Sequence, residues 1–145
     1  MNKILPFSIV LMLVNPLLSF SQSKGITKNL ENISGRYAEC AAYYRLAYYA
    51  LMSSNQPETA KAYRESEDMA MFYSLVLANE GRDKDLAAEV TNSRIEMYMK
   101  KMKQEINNRN ENISILVNKY HFGCQEAMQN PSAELVPIME KYLKK

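Results

Sequence analysis

The chain of 145 residues has no tryptophan, one histidine, two cysteines and four glycines, and each scarcity closes off a class of activity. With His121 alone, no site of several histidines exists, and the Glu-x-x-His pairs of carboxylate di-metal bundles are missing. Two cysteines without a Cys-x-x-Cys-His run leave no covalent haem attachment. The register derived below places His121 opposite residue 43, and no methionine lies between Arg36 and Leu51 to serve as the second haem ligand from that helix. No Gly-x-Ser-x-Gly turn marks a serine nucleophile. Eighteen basic residues against sixteen acidic ones give a net charge of +2, too balanced for a nucleic-acid binder that works by charge.

Continuous hydrophobicity is also short. Its one run, Ile4 to Leu18, follows Lys3, is interrupted by Pro6, Asn15 and Pro16, and leads to the small-residue exit Ser19-Phe20-Ser21. A membrane span needs about 20 apolar residues, so this pattern predicts a cleaved signal peptide of residues 1–21, or up to Ser23, and no lasting anchor. No cysteine lies near the expected cut, which argues against a lipid anchor. The expected mature chain, residues 22–145, is one helical domain in an oxidising compartment, periplasmic or secreted, where Cys40 and Cys124 pair as a disulfide.

What is abundant is helical periodicity. Ile26, Leu30, Ile33, Tyr37, Cys40, Tyr44, Ala47 and Leu51 recur in steps of four and three, the stripe of a packed helix. Gly35 predicts that its regular part begins later, and Ser53 to Pro57 predicts its stop and the cap of the next. A second helix is expected over Pro57 to Glu80, charged in its first half and buried on more than one side from Met69 to Ala78. Gly81 reads as its C-terminal cap, and Asp83 or Asp85 as the start of a third helix, near Lys84 to Asn107. That helix is expected to turn Leu86, Val90, Met97, Met102 and Ile106 inward. The fourth helix repeats the stripe through Ile113, Val117, Tyr120, Cys124 and Ala127 and breaks at Asn130-Pro131. A short tail helix follows, placing Leu135, Ile138, Met139, Tyr142 and Leu143 against the rest, with Pro137 either in its first turn or at a kink.

The fold class is therefore all-α: an up-down-up-down four-helix bundle with a short C-terminal helix, its first and fourth helices linked by the disulfide. Antiparallel pairing through Cys40 and Cys124 makes facing residue numbers sum to 164. Tyr37 then meets Ala127, Tyr44 meets Tyr120, Ala47 meets Val117 and Leu51 meets Ile113.

Function is read as binding without catalysis or a resident cofactor. Tyr43, Arg45 and Tyr49 flank the first stripe and are expected to form a surface for a protein partner, since Tyr and Arg favour interfaces. The alternative is a soft-metal or small-molecule carrier: Met97, Met99 and Met102, with His121, offer thioether and imidazole ligands for Cu(I), although only Met99 and Met102 converge on one helix face. His121 lies three residues before Cys124, the spacing of a Cys/His nucleophile pair, but a disulfide removes the thiolate. Lys100, Lys101 and Lys103 read as a solvated face. A monomer or weak homodimer is expected.

Ala38-Glu39-Cys40-Ala41-Ala42-Tyr43-Tyr44 early and Lys119-Tyr120-x-x-x-Cys124 late resemble the layout of small uncharacterised exported helical proteins of bacteria with one disulfide. The resemblance implies fold and compartment and brings no catalytic residue. In being helical with one disulfide, the chain is also similar to the shorter exported acid-protective chaperones, which makes a chaperone-like role a further expectation. Ala60-x-x-Tyr63 matches only a fragment of a tetratricopeptide-like repeat.

Overall fold

The computed structural model describes residues 24–144. The expected signal peptide lies outside the described residues. Five α-helices follow one another: α1 Lys24–Ser53, α2 Pro57–Asn79, α3 Lys84–Glu105, α4 Ile113–Gln129 and α5 Leu135–Leu143, with a 3-10 turn Asn110–Asn112 before α4. The described residues contain no strand. No described helix is long and apolar enough to cross a membrane.

The helix α1 is rich in alanine, the best helix former, and runs unbroken through Gly35, against the expectation that Gly35 delays it. The missing side chain leaves room there: a Cβ would meet only the Tyr98 hydroxyl, at 3.7 Å. From Ala38 to Ala47 only Glu39 and Arg45 are not fully buried, so α1 is covered on nearly every side rather than along one stripe. Small side chains at Ala38, Ala41, Ala42 and Ala47 permit this, because α2, α3 and α4 all pack against α1.

The breaks are local chemistry. Asn55 takes a left-handed φ of 57°, and the amides of Asn55 and Gln56 return to the carbonyls of Met52 and Leu51 at 3.2 and 3.0 Å. This is a Schellman ending with asparagine in the position glycine usually takes. The same ending closes α3 at Asn107, with φ 53° and amide bonds from Asn107 to Gln104 and from Asn108 to Lys103. Pro57 occupies the first turn of α2, which Gln56 precedes without a side-chain cap, so no serine or asparagine caps it. Asp83 caps α3 by accepting from the Leu86 amide at 2.9 Å. Gly81 does not cap α2; Glu80 does so in a right-handed conformation. Pro137 falls in the first turn of α5.

The disulfide joins α1 to α4 with Cα atoms 5.3 Å apart. Around it the Tyr37 hydroxyl donates to the Ala127 carbonyl at 3.4 Å, and Tyr43 meets His121. Both pairs sum to 164, so α1 and α4 run antiparallel in the expected register. A tight polar contact fixes α1 on α2: the hydroxyls of Ser34 and Ser74 each donate to the other residue's carbonyl at 2.9 Å. Leu135 on α5 is buried against Tyr37, Val76 and Leu77, and Lys141 donates to Glu80 at 2.9 Å.

Three faces differ from expectation. In α3 the buried stripe is Ala87, Thr91, Ile95 and Met102, whereas Leu86 and Met97 are exposed and Val90 is half-buried. Close packing buries the small Ala87 and Thr91 along with Ile95 and Met102, while Leu86 and Met97 turn outward. In α2, Met69 and Phe72 are exposed while Glu67 is buried, so the apolar half is not covered all round and the charged half is not wholly solvated. Leu143 is 77% exposed, because α5 frays into solvent one residue later.

Candidate functional site

The expected Tyr43–Arg45–Tyr49 surface does not exist as a surface. Tyr43 is completely buried, since α1 is covered on that side by α2 and α4 and not by solvent. Arg45 is held by Glu67, with Nε donating to Oε1 at 2.6 Å and a terminal nitrogen on the Met99 sulfur at 3.8 Å. Only Tyr49, 48% exposed, remains open to a partner.

Tyr43 instead centres an aromatic cluster beside the disulfide. Its ring lies 5.1 Å from Tyr44, 6.3 Å from Tyr63, 6.2 Å from Tyr120 and 6.3 Å from His121, centre to centre. Burial, reinforced by Tyr63, raises its pKa far above the ordinary tyrosine range, so the phenol stays neutral. The Tyr43 hydroxyl lies in hydrogen-bond contact with His121 Nδ1 at 3.1 Å. Burial also raises Tyr44 to about 12. At the edge of the cluster Tyr120 donates to Glu105 at 3.0 Å, and Lys119 donates to the same carboxylate at 2.9 Å. Desolvation pushes Glu105 upward, but these two hydrogen bonds outweigh it and hold the carboxyl below its usual range. The arrangement is a packed interior: His121 is engaged by Tyr43, Glu105 by Lys119 and Tyr120, and the two sulfurs by each other.

Two carboxylates are clamped by arginine pairs. Fully buried Glu67 receives Arg45 and, at 3.1 Å, Arg64. A buried carboxylate without such partners would cost several kcal/mol, so the pair is a requirement of the fold and weak evidence for a site. Arg82 and Arg94 both engage Glu31, and Arg94 also donates to Ser34 at 3.0 Å. Desolvation lowers the Arg94 pKa.

The methionine set is split among three environments. Met97 is 56% exposed, Met102 is in the core, and Met99 faces Arg45, while His121 is engaged by Tyr43 on another helix. Among the described residues no three His, Cys, Asp or Glu side chains gather as a metal site. Of two open depressions near the α3 end, one is lined by Ser53, Ser54, Asn108 and Arg109, and the other by Met99 with Lys100, Lys103, Gln104 and Asn108.

The least expected feature is on α4. Leu116, Tyr120, Cys124 and Ala127 face inward, and the opposite face presents Ile115 and Phe122, the latter 78% exposed. Sequence reading passed over Phe122 because it stands off the four-three stripe. That position was itself the signal, since a large aromatic there has no helix to pack on. The chain matches no family model, no curated protein and no solved structure.

Proposed function

We propose that this chain is an exported, disulfide-stabilised helical protein of the periplasm or cell exterior that acts by binding another protein, without catalysis, through the outer face of α4. In this reading α1 to α4 follow an up-down-up-down course, and the disulfide keeps α4 on α1 so that its outer face is presented rigidly. Phe122 carries the reading. It projects into solvent two residues from Cys124, on a helix fixed by a covalent bond, so binding would spend little entropy on ordering it. A preorganised aromatic surrounded by polar residues is the usual composition of an interface centre.

A photo-crosslinking residue placed at 122 in the exported protein is expected to capture protein adducts, and one placed at exposed Glu65 of α2 is expected to capture none. Phe122→Ala should weaken binding of the captured protein by about 30-fold, the effect of losing an aromatic worth about 2 kcal/mol, with helicity and melting temperature unchanged. Adducts at Tyr49 and none at 122 would move the binding face to the end of α1 and refute this one.

A further inference from the structure

The outer face of α4 has an internal symmetry that points to its occupant. A helix turns about 100° per residue, which puts Ile115, Phe122 and Gln129 in one central line. Lys119 and Glu126 lie to one side of that line, Asn118 and Gln125 to the other, and all seven residues are exposed. Phe122 is the midpoint, with each flank carrying one residue before it and one after.

We infer that a second copy of this chain binds there, α4 against α4 in antiparallel orientation, with Phe122 on the two-fold axis. This rests on the reading that the outer face of α4 is the binding face. The two-fold places residue n opposite 244 minus n, so Phe122 stacks on its own symmetry mate. The same two-fold sets like flank against like flank, so Lys119, level with the second copy's residue 125, lies one residue's rise, about 1.5 Å, from that copy's Glu126, and the reciprocal pair forms on the same side of the interface. On the other side Asn118 meets the second copy's Gln125, amide to amide. Ile115 covers the second copy's Gln129 at each end. A parallel two-fold would set the Lys119–Glu126 flank against the second copy's Asn118–Gln125 flank and form no ion pair, so charge favours the antiparallel form. Lys119 can take part: its half-exposed ammonium has three donors, of which Glu105 uses one, and the Tyr120 ring lies 5.1 Å from it.

The size of the face sets the strength. Seventeen helical residues make a strip about 25 Å long and about 10 Å wide, roughly 250 Å² per copy, against about 800 Å² per partner in a standard stable interface. The dimer is accordingly weak and concentration-dependent.

Sedimentation velocity of the disulfide-intact protein from micromolar to millimolar concentration is expected to show a monomer–dimer equilibrium that weakens with salt. Phe122→Asp should leave monomer throughout with an unchanged melting temperature. Glu126→Lys should weaken association at least tenfold, and adding Lys119→Glu should restore it. A wild type that stays monomeric at millimolar concentration, a dimer indifferent to Phe122→Asp, or a failed charge swap overturns the proposal. The crosslinker at 122 separates the two readings: an adduct of twice the chain mass supports the second copy. An adduct of another mass keeps α4 as the binding face and refutes self-association, and no adduct refutes both.

Discussion

Tyr43 shows how much a single residue's meaning depends on its surroundings. As one of ten tyrosines it read as an interface ring; in the fold it is a buried phenol hydrogen-bonded to His121. Tyr44 beside it is raised from 10.0 to about 12 by burial, and Tyr43 is raised in the same direction. The unfolded chain loses these protons first as pH climbs, so the contribution to stability is complete below pH 10 and is lost as pH rises from 10 toward 12. Urea unfolding between pH 9 and 12 should show this decline, and absorbance at 295 nm should show two tyrosines ionising only as the fold is lost. Tyr43→Phe should shift the alkaline limit upward. Glu67 was hidden in the same way: it read as part of the charged first half of α2. Arg45 on a covered stretch of α1 was the clue that a carboxylate must face it.

At the scale of elements, the helices and their ends were legible because their signals are local. Proline at the start of α2, aspartate before α3 and asparagine in the left-handed endings act through hydrogen bonds within a few residues. Gly35 misled because its cost to helix propensity is small beside the packing of α1. Its backbone is not left-handed and the nearest atom to an added Cβ is an ordinary contact away, so Gly35→Ala should stabilise the protein by about 0.5 to 1 kcal/mol. The melting temperature should rise by a few degrees; a fall would mean that Tyr98 cannot accommodate the methyl. The inward face of α3 was misread because hydrophobicity was used to rank its residues. Tight packing on α1 instead buries Ala87 and Thr91 and leaves Leu86 and Met97 outside.

For the whole molecule the Cys40–Cys124 bond is the dominant constraint, closing 84 residues of sequence. In the chain-entropy model that closure is worth about 4 to 5 kcal/mol, so reduction, or Cys40→Ala with Cys124→Ala, should lower the urea midpoint on the order of 2 M. Free-thiol measurement on the denatured, unreduced protein should find none. The two cysteines also made the candidate site half legible: they gave the register that places His121 against residue 43, but not the depth at which that pair lies.

Periodicity, breakers and the two cysteines determined, from sequence alone, that the described chain is helical, where its helices break, though not where α1 begins or what caps α2, and how α1 registers on α4. These are properties of neighbouring residues or of one covalent bond. Only the tertiary structure decided that Tyr43 and Glu67 are interior, that the methionines are scattered, and that Phe122 stands in solvent. Burial depends on which helix lies opposite: on α1, packed by three neighbours, Tyr43 is interior while Tyr49 stays exposed.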